Sequence, residues 1–157
     1  MKNTTLILSL VATLALIGCG KDDAAGGGGG GKLEPLKLDI LGLTVDAPKG
    51  ANQSELMGDI MVQAPGTVFS VRVAGSSDGK TIAEAKENAS MFSPKNIAEE
   101  KLADGFVLRY ENKGSMGANY FVNVRRTIGG KDYFCTATSP NDKMAANAAA
   151  ACKSLRP

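Results

Sequence analysis

From Leu33 onward, apolar side chains recur every second residue in short runs, interrupted by two stretches with the spacing of a helix. Leu36, Leu38 and Ile40 alternate with polar neighbours. The phase slips at Leu41-Gly42 and resumes with Leu41, Leu43 and Val45. A one-residue slip exchanges the faces of a strand, so a bulge or bend is expected near Gly42. Pro48-Lys49-Gly50 breaks the run. Strands are then predicted over about Leu56 to Val62 and Thr67 to Val73, separated by a turn at Ala64-Pro65-Gly66. Phe106, Leu108 and Tyr110 alternate with Val107, Arg109 and Glu111. Asp104-Gly105 signals a hairpin joining them to a weaker strand at Ile97 to Leu102. Strands at about Asn119 to Ile128 and Lys131 to Thr138, turned at Gly129-Gly130, complete an antiparallel meander.

The helical spacings lie between and after these strands. Ile82, Ala85, Ala89 and Phe92 share one face of a helix over about Thr81 to Met91, with Glu84, Lys86, Glu87 and Asn88 toward water, and Ser93-Pro94 ends it. A second helix follows Ser139, which is placed to cap it, with Pro140 at the first helical position and Asp142 completing a variant capping box. Met144, Ala148, Ala151, Cys152 and Leu155 form its apolar face. Laid on the sheet, that face brings Cys152 toward the strand bearing Cys135. Tyr133, Cys135 and Ala137 then lie beneath the helix, and Phe134, Thr136 and Thr138 lie on the other side, where the first helix is the candidate cover.

The expected class is α+β, an antiparallel sheet of about six or seven strands flanked by two helices. The order of elements resembles the PsbP-like fold, which also occurs in small periplasmic lipoproteins of the DcrB-like kind. The resemblance rests on Leu41-Gly42-Leu43-Thr44-Val45-Asp46-Ala47-Pro48, the Asp104-Gly105 hairpin, and Tyr133-Phe134-Cys135 with Ala151-Cys152-Lys153-Ser154-Leu155. A cystatin-like sheet wrapped on a helix is the alternative.

Upstream of the sheet, Met1-Lys2 and the apolar run Leu6 to Ile17 make a signal segment too short to span a bilayer. It closes on Leu16-Ile17-Gly18-Cys19, which resembles the lipobox of bacterial lipoproteins. The resemblance implies cleavage before Cys19, acylation of that residue, palmitate included, and anchorage on the periplasmic side of a membrane. Residues 1–18 are thus expected to be a signal peptide, 19–32 a lipidated tether rich in glycine, and 33–157 a single domain. Several acyl chains make such attachment stable. Gly20 differs from the aspartate that retains some lipoproteins at the inner membrane, which favours the outer one.

With Cys19 committed to lipid, Cys135 and Cys152 remain as a pair in an oxidising compartment and are expected to be bridged, two buried free thiols being the alternative. Net charge is near neutral with no basic block, so neither nucleic acid nor electrostatic docking on a membrane is implied.

Candidate chemistry is sparse. The chain has no histidine, which removes Ser-His-Asp and Cys-His mechanisms and the commonest metal ligand. Glu99-Glu100 are adjacent on a strand and point to opposite faces, while Asp22-Asp23 lie in the expected tether. The Gly26 to Gly31 run lacks the context of a phosphate loop. Met57 and Met61, placed on one strand face, stand about 13 Å apart, too far for one ion. No catalytic residue, metal or cofactor is expected, and the chain is read as a non-enzymatic protein-binding or scaffolding module with an unidentified envelope partner. Arg109, Tyr110, Tyr120 and Arg125 are the candidate partner surface, with Arg109 and Arg125 on one face of neighbouring strands. The alternative is a small-ligand-binding lipoprotein. An immunity protein and a carboxylate- or metal-dependent enzyme are lesser readings.

Overall fold

The computed structural model describes residues 32–114 and 117–157. The expected signal segment, Cys19 and all of the expected tether except Lys32 lie outside the described residues. Among the described residues, nine strands and two α-helices form the fold. They are β1 (Leu33–Leu38), β2 (Leu43–Pro48), β3 (Asn52–Leu56), β4 (Asp59–Ala64), β5 (Thr67–Val73), α1 (Ile82–Ser90), β6 (Lys95–Leu102), β7 (Gly105–Gly114), β8 (Gly117–Ile128), β9 (Lys131–Ser139) and α2 (Asp142–Lys153). Seven strands make one antiparallel sheet in the order β3-β4-β5-β9-β8-β7-β6, and β1 pairs with β2 in a separate hairpin. The class is therefore α+β, as the alternation predicts.

Three local expectations are corrected. The phase slip at Leu41-Gly42 is a hairpin corner rather than a bulge in one strand: Asp39–Leu41 form a 3-10 turn, and Gly42 adopts φ +65°, a left-handed conformation that suits glycine. Leu36 therefore pairs with Val45 across two strands. The strand expected over Leu56 to Val62 is likewise divided, because Met57-Gly58 is a tight turn with both residues at positive φ. Met57 sits 99% exposed at its tip instead of sharing a strand face with Met61. The cap of α2 is Asn141, whose side chain accepts from Met144 N, and not Ser139. Ser139 stays in β9, paired in register with Tyr120.

Strand alternation assigns the core to two sides. On one, Val62, Phe69, Val71, Val122, Val124 and Cys135 of the sheet meet α2 and the β1–β2 hairpin in a continuous buried cluster. The four consecutive alanines Ala148 to Ala151 let this helix approach closely. Cys135, on the central strand, is bridged to Cys152 of α2 with a Cα–Cα distance of 5.7 Å. A closed loop of this length is worth about 3 kcal/mol in the chain-entropy description. Beyond α2, Arg156 and Thr44 exchange two backbone hydrogen bonds of 2.8 and 3.0 Å, and Asp46 N donates to Ser154 Oγ at 2.8 Å. The hairpin is thus sewn to the end of the helix. On the other side a smaller cluster holds Ala85 and Ala89 of α1 against Phe106, Leu108, Tyr110 and Phe134. Gly105 opens β7 where a Cβ would lie 1.8 Å from the carbonyl oxygen of Arg125, so only glycine fits there.

Candidate binding surfaces on the two faces of the sheet

The nine residues of α1 span about 13 Å at helical rise, while the twelve of β8 extend about 40 Å. This helix therefore covers only part of its face. Thr81 caps it by accepting from Glu84 N, and Ala85 and Ala89 bring its axis close to β7. At its C-terminal end the chain releases Met91 and Phe92, which are 78% and 43% exposed. Phe92 stacks on Phe121 at 5.5 Å between centroids, and Phe121 on Tyr110 at 4.8 Å. These rings, with Phe134, Asn88 and Asn123, border an open groove of about 600 Å³ between α1 and the sheet. Burial raises the Tyr110 pKa, partly offset by its hydrogen bond with Asn123.

An ionic clasp holds the approach to α1. Asp78 accepts from Gly75 N at 2.6 Å, from Arg72 Nη2 at 2.6 Å and from Arg72 Nη1. Burial would raise the Asp78 pKa, but the hydrogen bonds from Arg72 and Gly75 and the Arg72 charge outweigh it and hold the carboxyl below the usual range. Arg72 also lies over the Phe134 ring at 5.3 Å. One residue beyond Asp78, the Gly79 carbonyl accepts from Arg125 Nη1 at 3.2 Å, and Arg125 pairs with Asp132 at 2.6 Å. Hydrogen bonds from Thr127 and Arg125 hold Asp132 below the usual carboxylate range.

A second cleft of about 390 Å³ opens on the α2 side, where the start of that helix meets β6, β7 and β8. Arg109 Nη2 donates to Asp142 Oδ1 at 2.6 Å, and Asn96 Nδ2 donates to Glu111 Oε1 at 2.6 Å. Asn96 holds φ +49° in an irregular stretch of β6 between Lys95 and Ala98. Tyr120, across the strand pair from Glu111, completes the wall.

Three of the four candidate surface residues, Arg109, Tyr110 and Tyr120, line the α2-side cleft, and Arg125 stands apart from them. Phe106, on the α1 side, pairs in register with Arg125, whereas Arg109 is three residues further along β7 and faces α2. The expectation that Arg109 and Arg125 share a face is therefore corrected. Tyr110 is also buried in the aromatic stack, and Arg125 is engaged in the clasp. Glu99 and Glu100 split as alternation requires, toward Lys86 of α1 and Lys153 of α2. Phe92, Phe121 and Asn96 were not among the candidates. A signal for the first two existed, because Tyr110 and Phe121 are equidistant from the Gly114–Gly117 hairpin end and so lie opposite each other.

Among the described residues no cluster of three or more histidine, cysteine, aspartate or glutamate side chains is placed to hold a metal ion, and no helix is long and apolar enough to cross a membrane. No family model matches the chain, and neither does any curated protein. A crystal structure from Bacteroides thetaiotaomicron VPI-5482, determined at 1.50 Å, is similar with a TM-score of 0.51 and 17% identity. The match covers 80% of this chain and 47% of that one, so this chain spans about half its length. At that identity the likeness is one of fold.

Proposed function

We propose that this chain is a lipid-anchored protein of the bacterial cell envelope whose domain binds another envelope protein without catalysing a reaction. The reading is supported above all by the groove beside α1, where Phe92 and Met91 remain exposed next to the Phe121–Tyr110 stack. Aromatic and methionine side chains are enriched in the cores of protein interfaces, and a shallow groove of this kind suits an apolar anchor side chain from a partner. The Leu16-Ile17-Gly18-Cys19 sequence supports anchorage through acyl chains on Cys19, on the periplasmic side and with the outer membrane favoured over the inner.

A photocrosslinking amino acid in place of Met91 tests the reading in intact envelopes. The expected result is one defined adduct, absent when the probe replaces Glu55 on β3 and lost with Phe121→Ala. Adducts of equal yield from both positions, or the protein recovered alone, would refute it. Mass spectrometry of the membrane-extracted chain tests the anchor, with an acylated amino terminus at Cys19 expected and an unprocessed chain contradicting it. The groove volume of about 600 Å³ also suits a small apolar ligand. Native mass spectrometry would favour that second reading if a single molecular mass co-purified with the protein and left with Phe92→Ala.

A further inference from the structure

Glu111 is only 8% exposed and stands in the wall of the α2-side cleft. Its hydrogen-bond partner is the neutral amide of Asn96, and among the described residues no ion pair reaches it. A carboxylate withdrawn from water is stabilised by opposite charge, and an amide supplies a hydrogen bond without one. The guanidinium in the same cleft, Arg109, is engaged by Asp142 at 2.6 Å, and Lys95, across from Glu111 in strand register, forms no ion pair with it, so among the side chains lining the cleft two carboxylates stand against one cation. Meanwhile the irregularity in β6 turns Asn96 onto Glu111 at a left-handed φ, a conformation that asparagine tolerates. Ala98 and Ala145 give the cavity short apolar walls, and Tyr120 brings an aromatic ring to it.

A single charge on a narrow apolar stem complements this arrangement. We propose that the cleft binds a primary alkylammonium group, its nitrogen on the Glu111 carboxylate beside Tyr120 and its methylenes along Ala98 and Ala145. The ammonium supplies the charge that Glu111 lacks, and an aromatic ring is a favourable neighbour for it. A free diamine and a lysine side chain carry the same chemistry. The site opens on the α2 side and shares Tyr110 and Phe121 with the aromatic groove as a common wall, while the residues proposed to hold the ligand, Glu111, Tyr120, Ala98 and Ala145, do not line that groove.

An amide chemical-shift titration of the full chain in detergent micelles, with cadaverine as probe, tests the proposal. Saturable shifts centred on Asn96, Glu111 and Tyr120 are expected, with none from 1,5-pentanediol or glutarate, which match its length without its charge. Glu111→Gln should weaken binding by about tenfold or more. Lys95→Ala, removing the cation across from Glu111 in strand register, should strengthen it. Nα-acetyl-lysine methylamide reports a protein-borne lysine, and whichever of the two amines saturates at lower concentration identifies the source. Absence of saturable shifts, equal shifts from the diol, or unchanged binding in Glu111→Gln would overturn the proposal. If Glu111→Gln loses its dispersed spectrum, the wild-type contrast between cadaverine and pentanediol decides alone.

Discussion

The two faces of the seven-stranded sheet are made from the same strands and treated in opposite ways. Toward α2 the side chains are mostly aliphatic, with Phe69 and Tyr133 among them, the helix is alanine-rich, and a disulfide joins it to the central strand. Toward α1 they are aromatic, the helix is short, and its end leaves Met91 and Phe92 in solvent. Close packing needs surfaces that fit at a small distance, and alanine against valine provides that. Large rings under a short helix leave gaps at its margins, and such gaps are where other molecules find room. Tight packing is thus concentrated on the α2 side of the sheet, while the margins of α1 leave an open groove on the other.

Paired truncations would break this contrast or sharpen it. Phe69→Ala, on the α2 side, is expected to cost about 3–5 kcal/mol in denaturant unfolding, whereas Phe92→Ala should cost less than about 1 kcal/mol. Equal losses would mean that both faces carry the fold. Reducing the Cys135–Cys152 bridge, or replacing both cysteines by alanine, should remove about 3 kcal/mol and leave the Phe92–Phe121–Tyr110 stack intact by near-ultraviolet circular dichroism.

Next in size is the clasp behind α1. Asp78→Asn should cost about 1–2 kcal/mol, the solvent-reaching Arg72 keeping the loss below that of a wholly buried pair. Because the folded-state pKa of Asp78 is depressed, its contribution is complete above the unfolded value near pH ~4 and disappears as pH falls through the lower folded value. Acid unfolding of Asp78→Asn should accordingly show a shallower dependence on pH than wild type. The smallest effect is at the β3–β4 tip. Met57→Gly should stabilise by up to about 1 kcal/mol by relieving a left-handed residue that has no side-chain packing to lose. A neutral or destabilising result would assign Met57 a contact that 99% exposure does not reveal.

Alternation and turn chemistry made the sheet legible where they agreed. Gly129-Gly130 turns β8 into β9, and Tyr133, Cys135 and Ala137 face α2 as their spacing requires. The misreadings arose where local grammar was ambiguous. Met57-Gly58 is not a typical hairpin dipeptide, so the pattern runs on as one long strand where the structure has two short ones. At α2, Ser139 and Asn141 are both competent caps, and strand pairing of Ser139 with Tyr120 settles the choice. The opposite faces of Arg109 and Arg125 follow from register across the β7–β8 hairpin, a non-local property that strand phase alone does not give. The α2-side cleft was illegible for the same reason, since it depends on Asn96 turning at an irregularity that no local pattern announces.

The bond pair between Thr44 and Arg156 has a consequence for how the molecule is made. A nascent polypeptide emerging amino end first can form β1 and β2 early, but the bonds at Thr44 and Asp46 wait until positions 154–156 have been made. Joining positions 108 apart in sequence, the Asp46–Ser154 bond closes after the local strand pairs of the sheet, whose loops are far shorter.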